Sequence, residues 1–208
     1  MGTITALRFQ TGNNDRVNLY LDGDYAFGLT AIKAARFHRG QVLSDANIDA
    51  LKAQDQQDQA FDQAVRFLSY RPRSCVEIER YLRRKGSADA ALPAVMARLE
   101  QAGYLNDEVF ARFWVDNRQR FRPRGQRALG YELRQKGVSG QIIARALHDL
   151  DEEKGAWQAI EGRLSRWNDL TREQLRRKVT AFLQRRGFEY EVIHLTFQRV
   201  CQTLDVSD

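Results

Sequence analysis

The chain is poor in cysteine and has no long hydrophobic run. Only two cysteines, Cys75 and Cys201, occur among the 208 residues, which excludes a disulfide framework and predicts a reducing compartment. No apolar stretch approaches the roughly 18 residues that a membrane-spanning helix needs. The start, MGTITALRFQ, lacks the basic segment and apolar core of a secretion signal. These absences predict a cytoplasmic protein that does not bind membranes.

The usual motifs of catalysis and metal binding are also missing. The three histidines, His38, His148 and His194, are scattered, and none has the spacing of a metal ligand. No phosphate-binding loop, nucleophile elbow or glycine-rich dinucleotide fingerprint occurs. The sequence therefore predicts a protein that is not an enzyme and that holds neither a cofactor nor a metal.

Lysine is scarce although the chain is basic. Six of the 33 basic residues are lysine and the others are arginine, and the net charge is +6. The planar guanidinium suits phosphate and carboxylate, so this bias favours a polyanionic or acidic partner, although a GC-rich genome would produce the same bias. The positive excess lies between residues 61 and 150, which places the basic surface in the middle of the chain.

The N-terminal residues predict a small antiparallel β-meander. Three runs alternate between apolar and polar residues in the manner of strands, and two clusters of turn-forming residues separate them. The predicted strands are TITALRFQ (3–10), VNLYL (17–21) and YAFGL (25–29), and the predicted turns are TGNNDR (11–16) and DGD (22–24).

Two helical segments follow the meander. A short helix is predicted over 30–37, and a longer helical stretch over 43–70 begins at the N-cap Ser44. The longer stretch contains AQDQQDQ (53–59), which is polar throughout. This segment is expected to be either a solvated bridge or a break between two helices.

Three basic segments end at a glycine, and they mark an internal repeat. When Gly86, Gly137 and Gly187 are aligned, five other positions carry an apolar residue in all three copies. Each copy predicts three helices. The predicted helices span 58–70, 74–85 and 89–102, then 107–121, 125–136 and 139–151, then 152–167, 171–186 and 189–203. The predicted domains are 1–57, 58–105, 106–151 and 152–208.

The middle helix of each copy has well-defined ends. Ser74 with Glu77, and Thr171 with Gln174, predict capping boxes, whereas Gly125 occupies the cap position of the second copy. The predicted buried stripes are Ile78, Tyr81 and Leu82 in the first copy, and Leu175, Val179, Phe182 and Leu183 in the third. Basic residues fill the last turn, and glycine ends the helix in a left-handed conformation. Helix capping alone can therefore explain the basic residues and the glycine of any single copy.

Two basic loops stand at the same place in the first and second copies. In YRPRS (70–74) and FRPRG (121–125) a pair of arginines flanks a proline at a helix entrance, where it can grip an anion with little loss of entropy. NDLTRE replaces the motif in the third copy. The alternative to anion binding is that the R-P-R sequence only starts a helix and that its arginines are solvated. The nearby Tyr70, Phe121 and Tyr131 could stack on bases, or pack in the core.

Tandem units of this kind predict a mainly α fold: three three-helix, helix-turn-helix-like repeats in an elongated curved body, after the β-meander. Such a body suits an extended partner, for example a filament or a nucleic acid. Two other functions stay open. One is direct DNA binding of the helix-turn-helix type, and the other is a scaffold whose repeats bind protein only.

Three stretches carry a family resemblance: AVRFLSYRPRSCVEIERYLRRKG (64–86), VMARLEQAGYLNDEVFARFWVDNR (95–118) and RPRGQRALGYELRQKGV (122–138). Over about 58–203 the chain resembles the RecX family, and RVNLYLDGDYAFGL (16–29) is similar to the β-extension of longer members. The third copy matches more loosely, with Arg186 where the family has lysine.

The resemblance implies a non-enzymatic modulator of the recombinase RecA. Such proteins bind in the groove of RecA–DNA filaments and restrain, most often inhibit, RecA activities in DNA repair and the SOS response. The expected partners are the RecA filament and, through it, single- or double-stranded DNA, and the chain is expected to be a monomer. The candidate contact residues are Arg71, Arg73, Arg83, Arg84, Lys85, Arg122, Arg124, Arg127, Arg134, Lys136, Arg185 and Arg186.

Overall fold

The computed structural model describes residues 1–205, which form two compact units. The first unit comprises Met1–Arg71 and Ile78–Tyr104, and the second comprises Pro72–Glu77 and the residues from Leu105 onward. The division of the chain into four domains at residues 57, 105 and 151 stays a prediction.

The secondary structure is mainly helical, after four N-terminal strands. The strands are β1 (Gly2–Gln10), β2 (Asn13–Leu21), β3 (Asp24–Thr30) and β4 (Val42–Leu43). The helices are α1 (Ala31–Ala34), α2 (Asp45–Leu68), α3 (Cys75–Arg84), α4 (Leu92–Gln101), α5 (Asp107–Phe121), α6 (Gln126–Gln135), α7 (Gly140–Leu147), α8 (Glu152–Glu161), α9 (Arg172–Arg185) and α10 (Tyr190–Thr203), with 3₁₀ turns at Asp89–Ala91 and Leu164–Arg166.

The antiparallel sheet is confirmed, but the prediction of three strands is wrong. The strand order is β3-β2-β1-β4, and the fourth strand is a two-residue segment that pairs with Gly2 and Thr3. The predicted turn over 11–16 is also too long. Gln10 pairs with the first residue of β2, because Gly12 has a φ of +79° and allows a two-residue turn.

The helix predicted over 30–37 shortens to the single turn α1. The chain leaves this turn and returns to the sheet, where the Gly40 N–H donates to the Ile4 carbonyl at 2.8 Å and the Ile4 N–H donates to the Gln41 carbonyl at 2.8 Å. These bonds lead into the fourth strand. That strand is too short to show an alternation of polar and apolar residues. Leu43 from that strand joins Ile4, Leu19 and Leu29 in the core of the sheet.

The polar segment 53–59 is neither a break nor a solvated bridge. It lies inside the continuous helix α2, whose N-cap is Ser44 as predicted. Asp55 and Asp58 are buried, and both are paired with cations. Arg16 of β2 pairs with Asp55, whereas Lys33 Nζ and Arg98 Nη1 lie 2.6 and 2.8 Å from the Asp58 carboxylate oxygens. Burying a carboxylate is tolerated here because each one is neutralised.

The three repeats are confirmed as sets of three helices: α2–α4, α5–α7 and α8–α10. The apolar positions aligned on the three glycines form the cores of these sets, and Leu82, Leu133 and Leu183 are fully buried. The glycines have the left-handed conformation expected of helix stops, with φ of +86° at Gly86, +80° at Gly137 and +79° at Gly187.

The predicted capping residues also hold the middle helices. Ser74 and Glu77 exchange side-chain and backbone bonds at 3.2 and 3.4 Å, and Thr171 and Gln174 form the equivalent box. Gly125 is the N-cap of α6. Within residues 1–205, no helix is long and apolar enough to cross a membrane.

Candidate partner-binding surface

The start of α3 packs against the basic C-terminal end of α6, and we call this contact the first joint. The Ser74 hydroxyl donates to the Lys136 carbonyl at 2.6 Å, and the Lys136 ammonium donates to the Glu77 carboxylate at 2.7 Å. Gly137 lies against Val76 so closely that an added Cβ would be 2.7 Å from Val76 Cβ. The glycine therefore serves both as a helix stop and as the surface against which Val76, at the start of α3, packs.

The start of α6 packs against the C-terminal end of α9 in the same way, and we call this contact the second joint. The Gly125 N–H donates to the Arg186 carbonyl at 3.0 Å, and Arg186 Nη1 donates to the Pro123 carbonyl at 3.0 Å. An added Cβ on Gly187 would lie 2.6 Å from the backbone nitrogen of Ala128. Lys136 and Arg186 each stand one residue before the glycine, so they do equivalent work in the two joints.

The joints explain why the chain repeats a basic helix end. In both joints the end presents a carbonyl and a glycine without a side chain to the start of the preceding middle helix, and its last cation bonds to residues at that start. In the first repeat this surface is open, since no atom of the described residues lies within 4 Å of the position that a Cβ on Gly86 would take. Lys136 and Arg186 are among the candidate contact residues predicted from the sequence, because nothing in the sequence separates a cation that bonds in a joint from one that faces outward.

Four arginines come together around the second joint, and we call them the arginine cluster: Arg122, Arg124, Arg163 and Arg186. The guanidinium carbons of Arg163 and Arg186 lie 4.5 and 4.6 Å from the centre of the Phe182 ring. Burial lowers the pKa of Arg186, and the charges of Arg163, Arg124 and Arg122 lower it further. A positive charge is disfavoured there, so an anion placed beside these groups would be stabilised.

One carboxylate partly balances this cluster. Glu132 of α6 lies 2.9 Å from Arg124 Nη1 and 2.8 Å from Arg118 Nε, and it accepts a hydrogen bond from the Trp114 indole at 2.8 Å. Arg118 in turn covers the Trp114 ring at 4.4 Å. This network fixes Arg124 against the second repeat, so the second arginine of FRPRG is held by the fold.

The structure sorts the predicted residues into three sets. The fold already engages four of them in ion pairs or joints: Arg83, which bonds to Glu79 and Asp89, and Arg124, Lys136 and Arg186. Arg71 and Arg73 are half-buried and make further interactions. Six are exposed and make no ion pair with the described residues: Arg84, Lys85, Arg122, Arg127, Arg134 and Arg185.

The aromatic residues near the basic loops are exposed, so core packing is excluded for them. The exposed fractions are 78% for Tyr70, 69% for Phe121 and 61% for Tyr131. Arg127, Tyr131 and Arg134 follow one another at helical spacing along α6, and we call this exposed row the α6 face. It offers a stacking ring between two free guanidiniums, which is an arrangement suited to a nucleic acid or to an acidic surface.

Four models of the RecX family match the chain: the "Regulatory protein RecX N-terminal domain" over residues 2–38, and the first, second and third three-helix domains of RecX over 60–99, 106–147 and 151–195. Among the described residues, no group of three histidine, cysteine, aspartate or glutamate side chains could hold a metal ion.

Curated relatives and solved structures agree with these models. Regulatory protein RecX of Bacillus subtilis (strain 168) is 32% identical over 205 residues, which cover 96% of this chain and 78% of that protein. Regulatory protein RecX of Listeria monocytogenes is 29% identical over 99% of this chain and 78% of its own. A crystal structure of regulatory protein RecX has the same fold, with a TM-score of 0.77 and 24% identity over 95% of this chain and 100% of that one. The chain belongs to the RecX family of regulatory proteins.

Proposed function

We propose that the protein regulates a RecA-type recombinase by binding in the groove of the RecA–DNA filament and restraining RecA. It acts there without catalysis, in the cytoplasm, in DNA repair and the SOS response. The observation that carries the proposal is the concentration of exposed arginines on the α6 face and at the second joint, in a chain that belongs to a regulatory family. The filament groove presents DNA phosphates and acidic protein surface, and both are partners for arginine.

The structure favours a division of labour among the predicted residues. Lys136 bonds to Glu77 and Arg186 bonds to the Pro123 carbonyl, whereas Arg122, Arg127 and Arg134 are exposed and leave their donors available to a partner. Binding through these arginines neutralises phosphates and releases counterions, so it should weaken as salt rises.

The first experiment is single-strand-dependent ATP hydrolysis by the cognate RecA, titrated with this protein. We expect inhibition at well below one copy per RecA subunit, because a protein in the groove or at a filament end affects many subunits. No change in ATP hydrolysis at equal stoichiometry would overturn the proposal.

A matched pair of variants then tests the surface. The triple variant Arg122→Glu, Arg127→Glu, Arg134→Glu should lose inhibition and retain its far-ultraviolet circular dichroism. The control Arg36→Glu, Arg39→Glu, Arg66→Glu changes the net charge equally at exposed positions elsewhere and should inhibit like the unaltered protein. If both triple variants lose inhibition equally, the effect is due to net charge. If both inhibit as well as the unaltered protein, the α6 face is excluded as the binding surface.

The same proteins separate the filament from simpler partners. Binding that is confined to duplex DNA at a defined sequence would indicate a helix-turn-helix DNA-binding protein, and salt-insensitive binding to RecA without DNA would indicate a protein scaffold. Each result contradicts groove binding.

A further inference from the structure

The third repeat contains a groove that the proposed function does not use. It lies between α9 and α10 and has a volume of about 810 Å³. One wall is formed by Arg172, Arg176, Thr180 and Gln184, which follow each other at intervals of four residues. Such residues share one face of a helix and lie about 6 Å apart along its axis. All four side chains can donate hydrogen bonds, so this wall is a row of donors.

The opposite wall is aromatic. Tyr190, His194 and Phe197 of α10 face the groove. The rings of Tyr190 and His194 are within 12° of parallel with centres 6.3 Å apart, and 76% of Tyr190 is exposed. Such rings offer flat surfaces on which a base can stack, with the donor row one helix away.

The charge of the groove is positive. Three arginines line it, and the one acidic lining residue, Glu173, is paired with Arg177. Arg176 is exposed and makes no ion pair with the described residues. The apolar floor is nearly covered, since Ile193 and Phe197 are only 2% and 7% exposed. An amphipathic acidic helix would find little apolar surface to bury there, whereas a polyanion with flat bases would use both walls.

The groove is specific to the third of the three repeats. Aligned on the glycines, Tyr190 corresponds to Asp89 and Gly140 in the first and second repeats. Val76 and Ala128, which dock on the next repeat in the two joints, have Arg177 and Lys178 near their places in the third. α9 also has one more turn at its start than α3 and α6. The corresponding face of α9 carries Arg177 and Lys178, and both residues are exposed.

We propose that this groove binds single-stranded nucleic acid directly, without RecA. The phosphates lie along the donor row of α9, and bases stack on Tyr190 and His194. Neutralisation of two phosphates, by Arg172 and Arg176 of the donor row, predicts that log K falls with log salt with a slope of about −1.4 for a single strand. Bases are accepted without strict sequence preference, because every base has a flat face.

The test is the fluorescence anisotropy of a labelled oligothymidine, titrated with the full chain in the absence of RecA. Tyr190→Ala should weaken binding about tenfold, which is the loss expected for one stacked base. Tyr190→Phe keeps the ring and should bind like the unaltered protein. Arg176→Gln should reduce the salt slope by about 0.7. Tyr25→Ala, which removes an exposed ring from β3, is the control and should change nothing.

The outcomes are distinct. Unchanged affinity in both Tyr190→Ala and Arg176→Gln would overturn the proposal. If oligoglutamate competes as strongly as oligothymidine and Tyr190→Ala does not change the affinity, the groove is a site for acidic protein segments instead. Equal affinity for oligouridine would extend the ligand to RNA, whereas weaker binding would restrict it to DNA. RecA inhibition by Tyr190→Ala should stay normal, so the groove and the proposed function fail independently.

Discussion

Gly137→Ala tests the first joint directly. The residue has a φ of +80°, and the added methyl group would overlap Val76, with Val76 Cβ only 2.7 Å away. The left-handed conformation costs a non-glycine residue about 1–2 kcal/mol, and forcing a methyl group into a packed contact costs about 1–3 kcal/mol. We therefore expect the free energy of unfolding to fall by about 2–5 kcal/mol in total.

Gly86→Ala is the matched control for this change. Gly86 stands at the same offset in the first repeat with a φ of +86°, but no described atom lies within 4 Å of its added Cβ. The control should lose only the conformational part, about 1–2 kcal/mol. The entropy that alanine removes from the unfolded chain is the same in both variants and cancels in the comparison.

The measurement is urea denaturation of both variants and the unaltered protein, followed by far-ultraviolet circular dichroism. A greater loss for Gly137→Ala than for Gly86→Ala would measure the cost of the clash in the joint. Equal losses would refute the reasoning, since they would show that the start of α3 does not rest on Gly137.

Two further predictions concern buried residues. Leu133→Ala should cost about 2–5 kcal/mol of unfolding free energy in urea, because the side chain is 0% exposed. Leu195→Ala, at 40% exposed, should stay within about 0.5 kcal/mol. For Asp58, burial raises the pKa, but hydrogen bonds and charges of Lys33 and Arg98 outweigh it and leave the pKa below its usual value. The stabilisation from this ionised carboxylate is present above the unfolded pKa of about 3.9 and is lost as pH falls through the lower folded pKa. Asp58→Asn should therefore lose stability at pH 7, by about 1–3 kcal/mol, and the difference from the unaltered protein should shrink in acid melts; a constant difference down to pH 2 would contradict this.

The repeated architecture was predictable because a periodic signal is written three times. Apolar residues at fixed offsets from Gly86, Gly137 and Gly187 determine which helix faces are buried, and each copy supports the interpretation of the others. Local capping is likewise encoded by neighbouring residues, so Ser74 and Thr171 could be assigned from the sequence alone.

Long-range pairing was not predictable from these patterns. Asp55 and Asp58 look like surface residues in a polar stretch, and only the fold brings Arg16, Lys33 and Arg98 to them. The two-residue strand β4 has no periodicity of its own, and it depends on partners in β1, forty residues earlier in the sequence.

The candidate surface was predicted in part. The sequence identified cations at helix ends, but it could not separate those that bond to a neighbouring repeat from those that face outward. Phe182, expected in a buried stripe, is half-buried beneath Arg163 and Arg186. The third-repeat groove was missed, because Tyr190 and His194 become neighbours of Arg176 only when α9 and α10 pack together.

The chemistry of the two joints bears on how such a chain can diversify. Apart from the side-chain bond between Lys136 and Glu77, the hydrogen bonds described for them use main-chain atoms on at least one side, namely the carbonyls of Lys136, Arg186 and Pro123 and the N–H of Gly125. A main-chain atom is present whatever side chain the residue carries. Serine in one joint and glycine in the other can therefore do the same work, and outward residues such as Arg134 are left to vary. The packing of the joints and the recognition of a partner thus depend on different atoms of the same helices, so selection can alter the recognition residues while it preserves the joints.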